Sequence, residues 1–151
     1  MTNADPESPR AAAPLEPCLL IDTAFDQGQV TQLRHSAAAY AHTAGLRGQR
    51  LNDFVLAVNE LTTNAVRHGG GRGSLRMWRQ AGSLVCEVSD HGDGINSRLL
   101  GEHRRPVPES VGGWGLWLAR ELSDTMDVTS GRAGTVVRIT TLLPIPHPTP
   151  D

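Results

Sequence analysis

Glu60-Leu61-Thr62-Thr63-Asn64-Ala65-Val66-Arg67-His68 is the stretch on which the reading of this chain turns. Residues four apart on a helix share a face, so Glu60, Asn64 and His68 fall into one stripe. That stripe carries a carboxylate, an amide and an imidazole. A helix built only to pack would place apolar residues or a solvated charge pattern there. The apolar neighbours are in place beside it. Leu51, Phe54, Val55, Val58, Leu61, Thr62 and Ala65 recur at helical spacing over an expected helix from Arg50 to His68. Gly69-Gly70-Gly71 ends that helix. The polar stripe therefore runs along the rim of a core, where a site is expected.

Working outward, Cys18 to Phe25 reads as a strand. Gln29 to Ala44 reads as a helix, with Val30, Leu33, Ala37 and Tyr40 at helical spacing and Gly45 as its stop. Beyond the central helix, Gly73 to Arg79 and Ser83 to Asp90 read as strands joined by a turn at Ala81-Gly82. In the second, Leu84, Cys86, Val88 and Asp90 share a face by the period-two rule. The three apolar members predict the core side, so Asp90 projects over the core's edge, where a carboxylate needs a partner. Residues 95–111 are irregular, polar and basic. A loop that long inside a compact domain is usually functional. A helix from Trp114 to Leu122 follows, then a closing hairpin of Met126 to Thr129 and Thr135 to Leu143. This order predicts an α+β fold, a two-layer sandwich with helices on one face of a mixed, mostly antiparallel sheet. Residues 1–16, rich in Pro, Ala and acidic residues, are expected to form a disordered leader. The folded unit is expected over 17–143, with a Pro-rich tail over 144–151.

Composition narrows the function classes. The length of 151 residues suits one domain with a core. A formal net charge of −2 argues against a nucleic-acid binder that relies on bulk positive charge. All 14 basic residues are Arg, which excludes a Gly-Lys-Ser/Thr phosphate loop and any lysine Schiff-base chemistry. Cys18 and Cys86 lie in apolar strands, so buried reduced thiols are the plain expectation. No apolar run is long enough to span a membrane, and the beginning of the chain lacks a signal-peptide pattern. A cytoplasmic location is expected.

Two clusters follow the central helix: Asp90-His91-Gly92-Asp93-Gly94 and Gly112-Gly113-Trp114-Gly115-Leu116. Together with the stripe they point to a magnesium-nucleotide site. Magnesium takes hard oxygen ligands and keeps much of its water, so the Asn64 amide oxygen plus substrate phosphates form a sufficient cage. Glu60, one turn earlier, is placed to orient or deprotonate a hydroxyl near the terminal phosphate. Asp90 can accept a hydrogen bond from adenine's exocyclic amine, which guanine's O6 cannot offer. Gly92 and Gly94 remove side chains where a flat base approaches. Gly113 and Gly115 open a helix whose free amides suit phosphate. The Thr135 hydroxyl, after Gly134, can reach the adenine edge. Each piece alone has a plainer meaning: a solvated helix face, a tight turn, a hinge. Their coincidence is what favours the site. A calcium loop does not fit, because the acidic spacing after Asp90 is wrong.

The segment from Glu60 to His68, Asp90-x-Gly92-x-Gly94-Ile95, Gly113-Trp114-Gly115-Leu116 and Gly134-Thr135 resemble the N, G1, G2 and G3 boxes of the GHKL (Bergerat-fold) ATPase superfamily. Glu-Leu-x-x-Asn-Ala-x-x-His on so small a domain is most similar to bacterial anti-sigma factor serine/threonine kinases. The resemblance covers nearly all of 17–143. It implies Asn64 as magnesium ligand, Glu60 as catalytic base and Asp90 as adenine anchor. It implies Gly92, Gly94, Ile95, Gly113, Gly115, Leu116 and Thr135 as nucleotide contacts. It makes 95–111 an ATP lid in which Arg104 or Arg105 meets phosphate or a partner. His68 matches the family pattern without an assigned role. The implied cofactors are ATP and Mg2+. The implied partners are an anti-anti-sigma protein of STAS type, phosphorylated on a serine or threonine, and a sigma factor that is sequestered. A homodimer through the exposed sheet face of Val85, Glu87 and Ser89 is a further expectation; direct contact with nucleic acid or membrane is not expected. His35 lacks the surroundings of a phosphoacceptor histidine. Two alternatives stay open: an ATP-binding regulatory module without transfer, and an interaction domain whose glycines only make turns.

Overall fold

The structure, a computed structural model, describes residues 17–91, 113–131 and 133–145. The elements run β1 (Cys18–Asp26), a short 3-10 turn (Gln27–Gln29), α1 (Val30–Ala44), α2 (Gly48–His68), β2 (Arg72–Gln80), β3 (Ser83–Asp90), α3 (Gly113–Glu121), β4 (Thr125–Gly131) and β5 (Gly134–Leu142). The strands form one sheet in the order β1-β2-β3-β5-β4. All of its pairings are antiparallel, the limiting case of the mostly antiparallel sheet expected.

Local chemistry explains the element ends. Asp26 caps the 3-10 turn, its Oδ1 accepting from the Gly28 N–H at 2.9 Å while Gln29 Oε1 accepts from the Asp26 N–H at 2.9 Å. The Gly45 N–H closes α1 on the Ala41 and His42 carbonyls. β2 and β3 are joined by the two residues Ala81 and Gly82, both with positive φ, the geometry of a tight hairpin.

The period-two reading of β3 holds: Leu84, Cys86 and Val88 lie in the core, and Asp90 is buried on the same face. Leu75 and Met77 of β2 and Val137 and Ile139 of β5 continue that face. Over it α2 lays Phe54, Ala57, Val58, Leu61 and Ala65, with α1 and α3 packed on its flanks. Burying a side chain the size of Phe54 or Leu61 stabilises the fold by ~2–3 kcal/mol.

Three expectations are corrected. Tyr40 is exposed, and Ala41 takes the buried position beside Ala37. The reason is that α1 lies beside edge strand β1, so its outer flank faces an open groove lined by Leu20, Gln32, Ser36 and Tyr40. Cys18 is exposed because it begins that edge strand, and both thiols are free. Cys86 is buried as expected, and burial followed by the Glu87 charge pushes its thiol up to about 12, so it stays protonated and unreactive. Third, Val85 is not exposed. It lies opposite Trp78 in the register, and Trp78 sits between the Arg76 and Arg138 guanidiniums at 5.6 and 5.4 Å from its ring centre. Arg138 in turn donates to Glu87 Oε2 at 2.7 Å. Much of the face expected to be open for dimerisation is thus covered by its own side chains.

A polar tie closes the sheet where β5 ends. The Leu142 N–H donates to Asp124 Oδ2 at 2.6 Å, and Arg50 Nη2 reaches the same oxygen at 3.1 Å and the Leu142 carbonyl at 2.6 Å. The Leu142 amide is the main cause that holds the Asp124 carboxyl below its ordinary range; partial burial opposes it and Arg50 reinforces it. A depressed folded value means the stabilisation is present above the unfolded carboxyl's ordinary range and is lost as pH falls through the folded value. Asp124→Asn should therefore cost ~1 kcal/mol at pH 7, and its deficit against wild type should be smaller at a second pH below the ordinary carboxyl range. Urea midpoints at the two pH values check this. An equal deficit at both would exclude the charge as the cause.

Candidate functional site

The last turns of α2 lie over the end of the sheet where β3 finishes. Glycines on both sides permit the approach. Gly73 pairs in register with Asp90. A Cβ built on Gly73 would stand 2.7 Å from the Ser89 carbonyl oxygen and 3.3 Å from Ala65 Cβ. A Cβ on Gly69, just past α2, would stand 2.4 Å from both Cβ and Cγ of Asp90. Asn64 and Asp90 therefore belong to the same end of the molecule, with Ala65 and Gly69 between them.

Asp90 is 8% exposed, and Thr135 is buried beside it. The Thr135 N–H donates to Asp90 Oδ1 at 3.3 Å. The Thr135 hydroxyl and Ser130 Oγ lie 3.0 Å apart, which ties β5 to β4 at this end. Gly134 passes so near the Asp90 backbone that a Cβ there would overlap the Asp90 carbonyl oxygen at 1.9 Å. The Asp90 carboxylate is thus placed by β3, by the Thr135 amide of β5 and by the chain that leaves α2.

The polar stripe of α2 is graded. Glu60 is partly buried, Asn64 is 9% exposed and His68 is open to solvent. Thr62, on the inner side, uses its hydroxyl within the helix, donating to the Val58 carbonyl at 3.0 Å. Among the described residues the Asn64 carboxamide has no hydrogen-bond partner. A nearly buried amide with spare acceptor capacity is the kind of hard, neutral oxygen donor that suits magnesium beside phosphates.

Gly115 brings the second cluster to the stripe. A Cβ on Gly115 would stand 3.1 Å from Glu60 Oε1, so the first turn of α3 leans directly on that carboxylate. Gly113 is the first residue of α3, so free main-chain amides of that turn start the helix near Glu60. Leu116 is buried in the core, where its side chain seats α3 against α2. Gly92, Gly94, Ile95, Arg104 and Arg105, with the expected lid over 95–111, lie outside the described residues.

The structure therefore brings Glu60 against Gly115, and Asp90 against Gly69, Gly134 and Thr135, with Asn64 on α2 between Glu60 and Gly69. His68 stands at the exposed end of the stripe. The sequence reading did not single out Gly69, which it took only as a helix stop. The run Gly69-Gly70-Gly71 was its one signal. No group of three or more His, Cys, Asp or Glu that could hold a metal occurs among the described residues. No helix among them is long and apolar enough to cross a membrane.

A family profile described as the histidine kinase-like ATPase domain matches residues 23–141. No curated protein sequence matches the chain. Among solved structures, the RsbU and RsbW domains of Rv1364c from Mycobacterium tuberculosis are similar at a TM-score of 0.59 and 21% identity, over 89% of this chain and 34% of that one. The histidine kinase domain of the blue-light activated histidine kinase from Erythrobacter litoralis EL346 is similar at a TM-score of 0.53 and 25% identity, over 76% of this chain and 60% of that one. The chain thus spans about a third of the first chain and three-fifths of the second. The likenesses place the sandwich described above in a known fold.

Proposed function

The chain belongs to the histidine kinase-like ATPase domain family, and on that premise we propose that it binds magnesium-ATP and transfers the terminal phosphoryl group to a serine or threonine of a STAS-type anti-anti-sigma partner. In this reading it also holds a sigma factor, and the partner's phosphorylation state decides which of the two it binds. The observation that supports the proposal is a pair of close approaches made by α2 and its end. Glu60 of α2 meets Gly115 of α3, Asn64 lies one turn further along α2, and Asp90 of β3 meets Gly69 just past α2 and Gly134 and Thr135 of β5.

Each residue has a stated task. Asp90 accepts a hydrogen bond from the adenine amine, with Thr135 at the same edge. The amides opening α3 face the phosphates. Asn64 would hold magnesium, which when bound neutralises phosphate charge and fixes the geometry of the phosphate chain. Glu60 takes the proton from the acceptor hydroxyl as its oxygen bonds to the terminal phosphorus and the bond to the ADP oxygen breaks. Arg104 and Arg105, in the proposed lid, are assigned to phosphate or partner contacts, and Gly92, Gly94 and Ile95 to the base.

The test is equilibrium titration with magnesium-ATP, then incubation of the labelled complex with a STAS-type acceptor. Wild type should bind saturably and label the acceptor. Asp90→Ala should bind at least tenfold more weakly, the loss expected for a buried charged hydrogen bond worth ~1.5–3 kcal/mol. No binding by wild type would sink the nucleotide reading. Tight binding without transfer to any acceptor would replace the kinase by a regulatory ATP-binding module.

A further inference from the structure

We propose that Gly69 is a positioning residue of the nucleotide site: its missing side chain leaves the space in which the Asp90 carboxylate stands, and so sets the preference for adenine. The proposal rests on the nucleotide reading above and names a determinant of base selection that it lacks.

The three glycines after α2 have different reasons. Gly70 and Gly71 have φ of +88° and +89°, and a Cβ on either would meet nothing within 4 Å. Backbone conformation accounts for them. Gly69 is the reverse case. Its φ of −112° and ψ of 26° are open to any residue, so conformation does not require a glycine. Space does. A Cβ there would lie 2.4 Å from Asp90 Cβ and Cγ and 2.5 Å from the Ala65 carbonyl oxygen. The crowded Asp90 atoms are the root of the carboxylate, not the end of a flexible chain. They can give way only by turning the carboxylate or by lifting α2 from the sheet.

The carboxylate has little room to turn without loss. Its Oδ1 accepts from the Thr135 N–H, and its own backbone is pressed against Gly134. Its direction is therefore fixed from β5 on one side and from Gly69 on the other. A hydrogen bond weakens steeply once its angle falls below about 120°. A turned Asp90 would lose the contact that tells an exocyclic amine from a carbonyl oxygen. Nonspecific affinity from phosphate contacts would remain.

Wild type, Gly69→Ala and Gly70→Ala are titrated with magnesium-ATP and magnesium-GTP, with circular dichroism as the check on folding. Wild type should prefer ATP. Gly69→Ala should bind ATP roughly tenfold or more weakly and lose most of its preference over GTP, since the lost bond involves a charged group. Gly70→Ala should keep the wild-type preference. A Gly69→Ala protein that retains the full preference overturns the positioning role and leaves the nucleotide reading standing. Wild type that binds no ATP overturns both. Should Gly69→Ala fail to fold, the double variant Gly69→Ala/Asp90→Gly decides. Recovery of the folded signal assigns the clash to Asp90, as proposed. Continued unfolding assigns it to the Ala65 carbonyl and overturns the proposal.

Discussion

Gly134→Ala is expected to destabilise the protein by ~3 kcal/mol or more and to abolish measurable ATP binding, because two costs fall on one residue. The first is conformational. Gly134 has a φ of +123°, where a side chain is strained. The second is steric. The added Cβ would stand 1.9 Å from the Asp90 carbonyl oxygen and 2.8 Å from the Asp90 carbonyl carbon and His91 Cα. These are backbone atoms, which cannot rotate aside. The start of β5 would have to separate from the end of β3, where Asp90 pairs with Thr135. That movement also breaks the Thr135 N–H bond to Asp90, so stability and binding fail together. Gly131 provides the contrast within the same hairpin. It lies opposite Gly134 in the β4–β5 register, yet a Cβ there meets nothing within 4 Å. Gly131→Ala should stay within about 0.5 kcal/mol of wild type. Paired denaturant melts and ATP titrations of the two variants decide it. Equal stability of both would mean that the close approach at Gly134 does not exist.

Gly134 and Gly69 mark the limit of what the chain reveals without its fold. Alternation along β3 placed Leu84, Cys86, Val88 and Asp90 on one side, and all of them are buried. Helical spacing placed Glu60, Asn64 and His68 on one stripe of α2, beside the apolar face, and the burial of Asn64 between a partly buried Glu60 and an exposed His68 fits that stripe. These are properties of a single element, and a period is enough to read them. What covers a face is a property of two elements. Tyr40 kept helical spacing but faces outward, because α1 sits at the sheet's edge and has a strand on one side only. Val85 alternates outward but is covered, because Trp78 lies opposite it and two arginines hold that ring. Gly69 read as a helix stop because its real neighbour, Asp90, is remote in sequence and arrives only through the β2–β3 hairpin. Gly134 read as part of a turn for the same reason. Close approach between remote backbones leaves only a glycine in the sequence, and a glycine has many causes.

Glu60→Gln is expected to leave folding and ATP affinity nearly unchanged and to slow phosphoryl transfer by ~10²–10⁴, the usual share of a positioned general base. The substitution keeps the shape of the side chain, which matters here because α3 leans on it. A Cβ on Gly115 would already lie 3.1 Å from Glu60 Oε1, so a larger or differently placed group would displace the helix rather than test the chemistry. The glutamine oxygen or amide fits the same space without accepting the hydroxyl proton. Gly115→Ala is the complementary change. Its crowded neighbour is the far end of a side chain that can turn, so the fold should survive while the carboxylate is displaced. Transfer should then fall, by less than in Glu60→Gln, with ATP still bound. Single-turnover transfer to the acceptor, measured beside equilibrium binding, separates the two effects. A Glu60→Gln protein that transfers phosphate at the wild-type rate would remove Glu60 from the chemistry. The carboxylate would then be a support for the first turn of α3, and the proton would have to leave the acceptor hydroxyl by another route.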